Sequence, residues 1–200
     1  MIITSRENKV FRLVKNLKTK RGRDENSLFV IEGIRSVSDA IKKGVGLDLV
    51  AIEDGHRFDM EFNCPVYTFA PKLFGEMSDT VTPQGIIAVC KKPNCSLSDF
   101  NESENSCVVM CENVQDPGNI GTIIRTAHAA FCDGVVLTKG CCDLYNPKII
   151  RATMTGVFSV PVLTDADSEK TIAHFKARGY RVVAGALCER AENLYEIDLS

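Results

Sequence analysis

Short apolar runs alternate with amphipathic segments along the whole chain, and this pattern predicts an α/β fold. In the first half, four runs have the length and composition of buried strands. They are Leu28–Ile31, Leu49–Ile52, Val66–Phe69 and Ile86–Cys90. A helix is predicted over Ile34–Lys43 and ends at Gly44. Strands that alternate with helices indicate a small α/β domain.

The second half repeats the alternation with Val-rich runs. Strands are predicted at 107–112, 134–138, 160–163 and 180–184, and helices at 119–131, 147–156 and 167–178. Continuous apolar strands separated by helices are typical of a parallel sheet covered on both faces, so we predict a Rossmann-like sheet. Residues 94–106 are polar and rich in Ser and Asn. They predict a linker between a domain at 1–93 and a domain at 107–200.

The first helix is predicted to begin just after Thr4, because Thr4 and Glu7 match a capping box. Its apolar stripe consists of Val10, Leu13, Val14 and Leu17. The cationic candidates for contact with a nucleic-acid backbone are Arg6, Lys9, Arg12, Lys15, Lys18 and Arg21. Two interpretations stay open for them, a solvated helix face or a phosphate-contacting surface.

Composition narrows the class of protein. Hydrophobic residues make up 44% and charged residues 25%, and no apolar run or secretory signal points to a membrane. Residues 1–93 carry a net charge of +3 and residues 94–200 a net charge of −5. This asymmetry excludes a uniformly basic coat but allows a local basic arm. The nine cysteines are odd in number and irregular in spacing, so we expect no disulfide framework, no metal site and a cytoplasmic location.

A polar turn follows the predicted strand at 107–112 and leads into a helix. Asn119 lies at this turn, where its amide and free backbone N–H groups could hold a polar or anionic ligand. The helix core is formed by Ile120, Ile123, Ile124 and Ala127. Arg125 therefore faces away from the core, either as a surface arginine or as a contact to an anion or a second subunit.

A second polar turn precedes the next helix. Asn146 is a good N-cap and Pro147 suits the first helical position, and capping alone explains both. Capping does not explain Lys148 and Arg151, which are neighbours on one helix face. The chain has neither a Gly-x-Gly-x-x-Gly motif nor a Gly-Lys-[Ser/Thr] loop, so dinucleotide oxidoreductases and P-loop nucleotidases are poor candidates.

These segments together resemble one enzyme family. The second-half motifs are Asn119-x-Gly121-x-x-x-Arg125-Thr126-Ala127 and Asn146-Pro147-Lys148-x-x-Arg151-Ala152. They resemble the catalytic domain of the SpoU-type RNA 2′-O-ribose methyltransferases, of the SPOUT superfamily. The first-half motifs are Thr4-Ser5-Arg6-x-Asn8, Phe29-x-x-Glu32-Gly33 and Thr82-Pro83-Gln84-Gly85. They resemble the family's L30e-like substrate-binding domain.

The resemblance implies transfer of a methyl group from S-adenosylmethionine to a ribose 2′-hydroxyl of structured RNA, with ribosomal RNA favoured over transfer RNA. It implies that Arg125 activates the hydroxyl and that Asn119 helps to position it. A homodimer with the site at the subunit interface is also implied. Lys148 and Arg151 are expected to contact RNA phosphate or the second subunit.

The family's cofactor pocket is a C-terminal trefoil knot built from two later motifs that this sequence lacks. Only a first cofactor loop is recognisable, and its residues are Ala184, Gly185, Ala186 and Leu187. We therefore expect a truncated form of a longer enzyme, with weak cofactor binding as it stands. A catalytically silent RNA-binding protein is the alternative; a cofactor-free enzyme or nucleotide-binding module would need a phosphate loop.

Overall fold

The chain folds around two β-sheets, one in each half. The computed structural model describes residues 1–200 except 101–102, 104–105, 155, 187, 190, 194 and 198–200. The strands of the first sheet are β1 (Ile2–Ile3), β2 (Leu28–Glu32), β3 (Leu47–Glu53), β4 (Val66–Phe69) and β5 (Ile86–Lys91). Their order is β1-β4-β3-β5-β2; β5 runs antiparallel to β2 and β3, whereas β4 runs parallel to β1 and β3.

Alternating side chains bury both faces of the first sheet. The helices of this half are α1 (Lys9–Asn16), α2 (Lys20–Asn26), α3 (Ile34–Lys42) and α4 (Pro71–Met77). In β5, Ile87 and Val89 join the cluster formed with α1 and α4, while Ala88 joins the cluster that includes α3. The period of two in the strand places successive residues on opposite faces.

The second sheet is parallel and also covered on both faces. Its strands β6 (Val108–Cys111), β7 (Gly134–Thr138) and β8 (Val162–Ala166) lie in the order β6-β7-β8. Helices α5 (Pro117–Ala129) and α6 (Pro147–Ala152) cover one face, and α7 (Ser168–Ala177) covers the other. Short 3-10 turns occur at Leu97–Asp99 and Gly156–Phe158. The predicted α/β class with a parallel second sheet is confirmed.

The two halves share one hydrophobic core. Phe29 of β2 packs on Tyr145, with ring centroids 4.7 Å apart, and both belong to a buried cluster that includes Ile150 of α6. In the predicted linker, Phe100 is 4% exposed and packs with residues of β7 and α7. A Cβ at Gly134 would overlap the Phe100 ring, so that position requires glycine. The predicted domain boundaries at 93 and 107 stay predictions.

Two predicted elements are wrong at the start of the chain and near its end. The first helix begins at Lys9, with Asn8 as its N-cap, because β1 pairs with β4 and keeps the preceding segment extended. The Asn8 side chain accepts from the Val10 amide at 2.9 Å, so Thr4 and Glu7 do not form the cap. No strand forms over the described residues 180–186, where Val182 and Val183 are 45% and 48% exposed. An apolar run becomes a strand only where a neighbouring strand pairs with it.

Other boundaries also differ from prediction. α5 spans Pro117–Ala129 instead of 119–131, so Asn119 lies inside its first turn, where its backbone N–H is bound by Asp116. α6 ends at Ala152 instead of continuing to 156, and Met154 follows it with a φ of 46°. β8 begins at Val162 because Pro161 has no N–H to give to a ladder. Within the described part of the chain, the helices are too short or too polar to cross a membrane.

Candidate functional site

Helix α5 carries Asn119 and Arg125 on its exposed surface. Asp116 caps the helix by accepting from the Asn119 amide at 2.8 Å, and Pro117 occupies the first position. Arg125 is exposed, and its Nη1 lies 3.6 Å from Sδ of Met154. It makes no ion pair with any residue that the structure describes. Six positions separate the two residues, about 9 Å along the axis, and no hydrogen bond between them is present in the described structure.

Helix α6 packs tightly against α5. Its N-cap is Asn146, whose Oδ1 accepts from the Lys148 amide at 2.9 Å. A Cβ at Gly121 would overlap the Cβ of Ala152. Only glycine at 121 permits this approach, so the two second-half motifs form one interlocked unit.

An open groove of about 280 Å³ lies between the two halves, beside this unit. Its lining residues are Glu32, Gly33, Arg35, Ser36, Thr80, Thr82, Gln84, Arg151 and Met154. Met154, which contacts Arg125, thus links the groove to α5. Besides the Glu32 carboxylate, the groove holds two guanidinium groups with amide and hydroxyl groups, which can bind a phosphate backbone.

The first-half motifs build one wall of this groove. Gly33 has a φ of 97°, which glycine adopts without strain, and a Cβ there would lie 2.9 Å from Oε1 of Gln84. The same Oε1 accepts from the Ile34 amide at 2.8 Å, at the start of α3. The Glu32-Gly33 and Gln84-Gly85 segments therefore brace each other.

Arg151 and Lys148 lie in different surroundings in the structure. Nη1 of Arg151 lies 2.9 Å from Oδ2 of Asp79, across the boundary between the halves and next to the groove. Lys148 is exposed and lies outside the groove lining. The spacing that made them neighbours on α6 therefore does not give them a common partner.

The arginines of the predicted basic arm are largely paired within the chain. Nε of Arg6 donates to Glu76 at 2.8 Å, which holds the pKa of that carboxyl below its usual range. Arg12 pairs with Glu7, and Nε of Arg21 lies 2.6 Å from Glu25. This arm is less available to an external phosphate than the count of cations indicates.

Two lysines of that arm, Lys15 and Lys18, contact the end of α4. Nζ of Lys15 donates to the carbonyl of Glu76 at 3.0 Å, and Nζ of Lys18 donates to that of Ser78 at 2.5 Å. Burial lowers the pKa of Lys18. Cations at a helix C-terminus satisfy its free carbonyl groups. Lys9 is exposed and has no side-chain partner in the described structure.

The predicted cofactor loop lies in an irregular, exposed segment. Ala184, Gly185 and Ala186 are exposed, and a Cβ at Gly185 would meet no atom within 4 Å. Leu187 lies outside the described residues. The backbone of this loop is thus open to a ligand. A separate cavity of about 260 Å³ lies at the carboxyl ends of β7 and β8 and is lined in part by Thr138 and Asp165.

Among the residues that the structure describes, the thiols and acidic groups form no recognisable metal centre. No group of three or more potential ligands comes together among the described residues. All nine cysteines are free. Burial raises the pKa of Cys111 and Cys132 to about 11, so these thiols are poorly reactive near neutral pH.

Both halves of the chain match known protein families. Residues 8–88 match the MRM3-like substrate binding domain, and residues 106–200 match the SpoU rRNA methylase family. The chain is 34% identical over 187 residues to the 23S rRNA (guanosine(2553)-2′-O)-methyltransferase RlmP of Bacillus subtilis. That alignment covers 92% of this chain and 73% of the relative. The chain belongs to the SpoU rRNA methylase family.

Other similar proteins are also rRNA methyltransferases. Mitochondrial rRNA methyltransferase 3 of Mus musculus is 32% identical over 167 residues, which cover 79% of this chain and 40% of the relative. An rRNA methyltransferase of Sinorhizobium meliloti is 28% identical with a TM-score of 0.88, over 99% of this chain and 77% of that one. An AdoMet-bound structure of an rRNA methyltransferase from Sinorhizobium meliloti is 27% identical with a TM-score of 0.78, over 89% of this chain and 69% of that one. The resemblance inferred from the motifs is confirmed.

Sequence reasoning missed several residues of the groove in this SpoU-family protein. Arg35 lines it with a side chain that is 76% exposed, and Asp79 holds Arg151 at its edge. The sequence identifies Gln84 only as a member of the Thr82-Pro83-Gln84-Gly85 motif. Its place in a family motif was a usable signal, whereas nothing in the local sequence marks Asp79 as the partner of a residue 72 positions away.

Proposed function

We propose that this protein is an S-adenosylmethionine-dependent RNA 2′-O-methyltransferase that acts on ribosomal RNA. The observation that carries the proposal is Arg125, a guanidinium without an ion-pair partner in the described structure, next to a groove lined by both halves. Two similar proteins support the reaction and the cofactor: the Bacillus subtilis relative is a 23S rRNA 2′-O-methyltransferase, and the Sinorhizobium meliloti rRNA methyltransferase has a structure with AdoMet bound.

The chain's own residues supply orientation and charge. An arginine stays protonated in proteins, so Arg125 acts as a donor that aligns the ribose 2′-oxygen and stabilises the negative charge that develops on it. Asn119 helps to position the substrate from the first turn of α5. When bound, S-adenosylmethionine would supply the methyl group from its sulfonium and leave as the neutral thioether. The hydroxyl proton passes to solvent.

RNA binding is assigned to the groove and to the exposed cations around it. Arg35 and Arg151 would contact phosphates through the N–H groups that their pairs with Asp39 and Asp79 leave available, and Lys9 and Lys148 would add longer-range attraction. The first cofactor loop, with Ala184, Gly185, Ala186 and Leu187, would contact the methyl donor, and the open space beside Gly185 fits that role.

A homodimer and a cytoplasmic location belong to the same proposal. Phe131 and Met154 are 91% and 51% exposed, and apolar side chains of that size are common at subunit interfaces. Free thiols throughout the chain suit a reducing compartment. A substrate-binding unit at 1–93, a linker at 94–106 and a catalytic unit at 107–200 are supported by the two family matches.

The test is methyl transfer from radiolabelled S-adenosylmethionine to ribosomal RNA, with Arg125→Ala as the variant. We expect the variant to lose about 100-fold or more in kcat, because one preorganised donor is removed. Lys170→Ala, an exposed change on α7, is the matched control and should keep full activity.

Equal rates for Arg125→Ala and the parent protein would remove Arg125 from the mechanism. RNA binding that weakens with salt but never leads to methyl transfer would favour the catalytically silent RNA-binding protein instead.

A further inference from the structure

Glu32 is an acidic side chain with three donors around it, and none of the roles assigned above uses it. It is the last residue of β2, and its carboxylate accepts from the Ser78 hydroxyl, from the Thr80 hydroxyl at 2.7 Å and from the Asp79 amide at 2.9 Å. An ionised carboxylate accepts only, and hydrogen bonds to it are stronger than those between neutral groups. Glu32 therefore fixes the segment Ser78–Thr80, which follows α4.

This segment holds a residue of the other half. Asp79 lies in its middle, and its Oδ2 is 2.9 Å from Nη1 of Arg151 on α6. The two side chains are 42% and 39% exposed. An ion pair with this much exposure to water contributes little to holding its own side chains in place. The direction of the Asp79 carboxylate must therefore come from its backbone, whose amide Glu32 binds.

Arg151 in turn connects this contact to the groove. It lines the groove together with Glu32 and Thr80, and the next residue, Ala152, packs against Gly121 of α5. A continuous series of contacts thus runs from the end of β2 through Asp79 to α6 and on to the helix that carries Arg125.

We propose that Glu32 is a positioning residue for RNA: it orients Asp79, and Asp79 preorganises Arg151 at the groove. This inference rests on the proposed function, because it deepens the role of the same groove. Glu32 itself does not touch the reacting atoms. Its contribution is to order Arg151 before RNA arrives, so that less ordering is needed when RNA binds.

Glu32→Gln tests the inference. The amide keeps the shape but replaces one acceptor oxygen with a donor among three donors, so the loop should loosen. We expect the RNA Kd and KM to rise about fivefold to tenfold while kcat stays within about twofold. A merely structural role would lower the active fraction, and hence the apparent kcat, and leave KM unchanged; that result would overturn the proposal.

Glu53→Gln is the matched control. Glu53 ends the neighbouring strand β3, and its side chain faces His56 instead of the loop or α6. It should leave Kd, KM and kcat unchanged, and an equal rise in KM would contradict a specific role for Glu32.

A second pair of measurements tests the connection itself. Arg151→Ala should raise the RNA Kd by a similar factor, and the double variant Glu32→Gln/Arg151→Ala should be no worse than either single variant. Fully additive effects would overturn the proposal.

Hydrogen exchange of the free protein separates this inference from the proposed function. In Glu32→Gln, the amides of Ser78–Thr80 and of α6 should exchange at least about fivefold faster, while those of β3 stay unchanged. Unchanged exchange at α6 would overturn the inference whatever the RNA result. Faster exchange in a protein that does not methylate RNA would leave the contact in place and refute only the enzymatic function.

Discussion

At the scale of single residues, Arg23 is a charged side chain that the fold buries almost completely. It is 3% exposed, its Nε donates to Asp143 at 2.9 Å, and its Nη1 donates to the Leu17 carbonyl at 2.8 Å. Removing a guanidinium from water is costly, and such pairs persist only where geometry and extra hydrogen bonds compensate. Arg23 thereby ties α2 of the first half to the loop before α6.

Arg23→Ala should lower the free energy of unfolding by about 3 kcal/mol or more, because Asp143 would remain largely buried without its partner. Urea denaturation followed by circular dichroism measures this change. Arg21→Ala, which removes an exposed pair with Glu25, should change the same quantity by less than about 0.5 kcal/mol. Equal losses in the two variants would contradict the role of burial.

At the scale of secondary structure elements, the packing of α5 against α6 depends on one glycine. Gly121 belongs to the motif that carries Arg125, and its partner Ala152 belongs to the motif that carries Arg151. A Cβ of Gly156 would lie 3.5 Å from the Cα of Arg125, so the turn after α6 also approaches α5 closely. The separation of the two helices therefore sets where Arg125 stands relative to the groove.

Gly121→Ala should destabilise the protein by about 1–3 kcal/mol, because the added methyl overlaps Ala152 in a packed contact. Methyl transfer should fall further than the loss of folded protein explains, since Arg125 moves with α5. Gly75→Ala is the control: its Cβ would meet no atom within 4 Å, and it should stabilise α4 by about 0.5–1 kcal/mol. Thermal denaturation with activity assays checks both, and a neutral Gly121→Ala would refute the close contact.

At the scale of the whole molecule, protonation of carboxyl groups at low pH and ionisation of buried thiols at high pH both destabilise the fold. Lys92 lowers the pKa of Asp24, Arg6 lowers that of Glu76, and the Ser96 amide lowers that of Asp99. Carboxyls with a lowered pKa stabilise the fold above their ordinary pKa and lose that contribution as pH falls through the lowered value. Burial raises the pKa of Cys111 and Cys132, so their contribution is complete below the ordinary thiol pKa and is lost as pH rises toward 11.

Stability should therefore be nearly constant between about pH 5 and pH 8, and fall below about pH 4 and above about pH 9. Urea midpoints at constant ionic strength measure this profile. Cys111→Ala should flatten the alkaline limb and leave the acidic limb unchanged, while Asp24→Asn should do the reverse. A midpoint that stays constant from pH 5 to pH 11 would contradict the burial of these thiols.

Local pattern predicted local structure well. The strand at Val66–Phe69 has its predicted bounds, and the helix predicted from Ile34 ends one residue early, at Lys42. Both depend on runs of neighbouring residues whose spacing reports burial. The predicted start of the first helix is wrong. Ile2–Ile3 pairs with the distant strand β4, so the chain stays extended there and the helix begins only after its N-cap, Asn8.

The candidate site could be predicted only in part. Motifs located Arg125, and its exposure follows from helical spacing because the core residues fall on the opposite face. The groove joins residues near 33, 80 and 151, and the contact between Asp79 and Arg151 spans 72 positions. The spacing of neighbouring residues in the sequence carries no information about a contact between residues so far apart. The ion pairs that engage Arg6 and Arg21 were equally invisible, since a cluster of cations in sequence does not show which carboxylates face it.

The hydrophobic core that Phe29 and Ile150 share has a consequence for how such proteins diversify. A substrate-binding half that contributes side chains to its neighbour's interior is not a detachable module. Exchanging it for the corresponding half of a relative would leave mismatched apolar surfaces unless the residues facing α6 were transferred with it. New target preferences should therefore arise by change at the rim of the groove, while the surface that joins the halves is inherited intact.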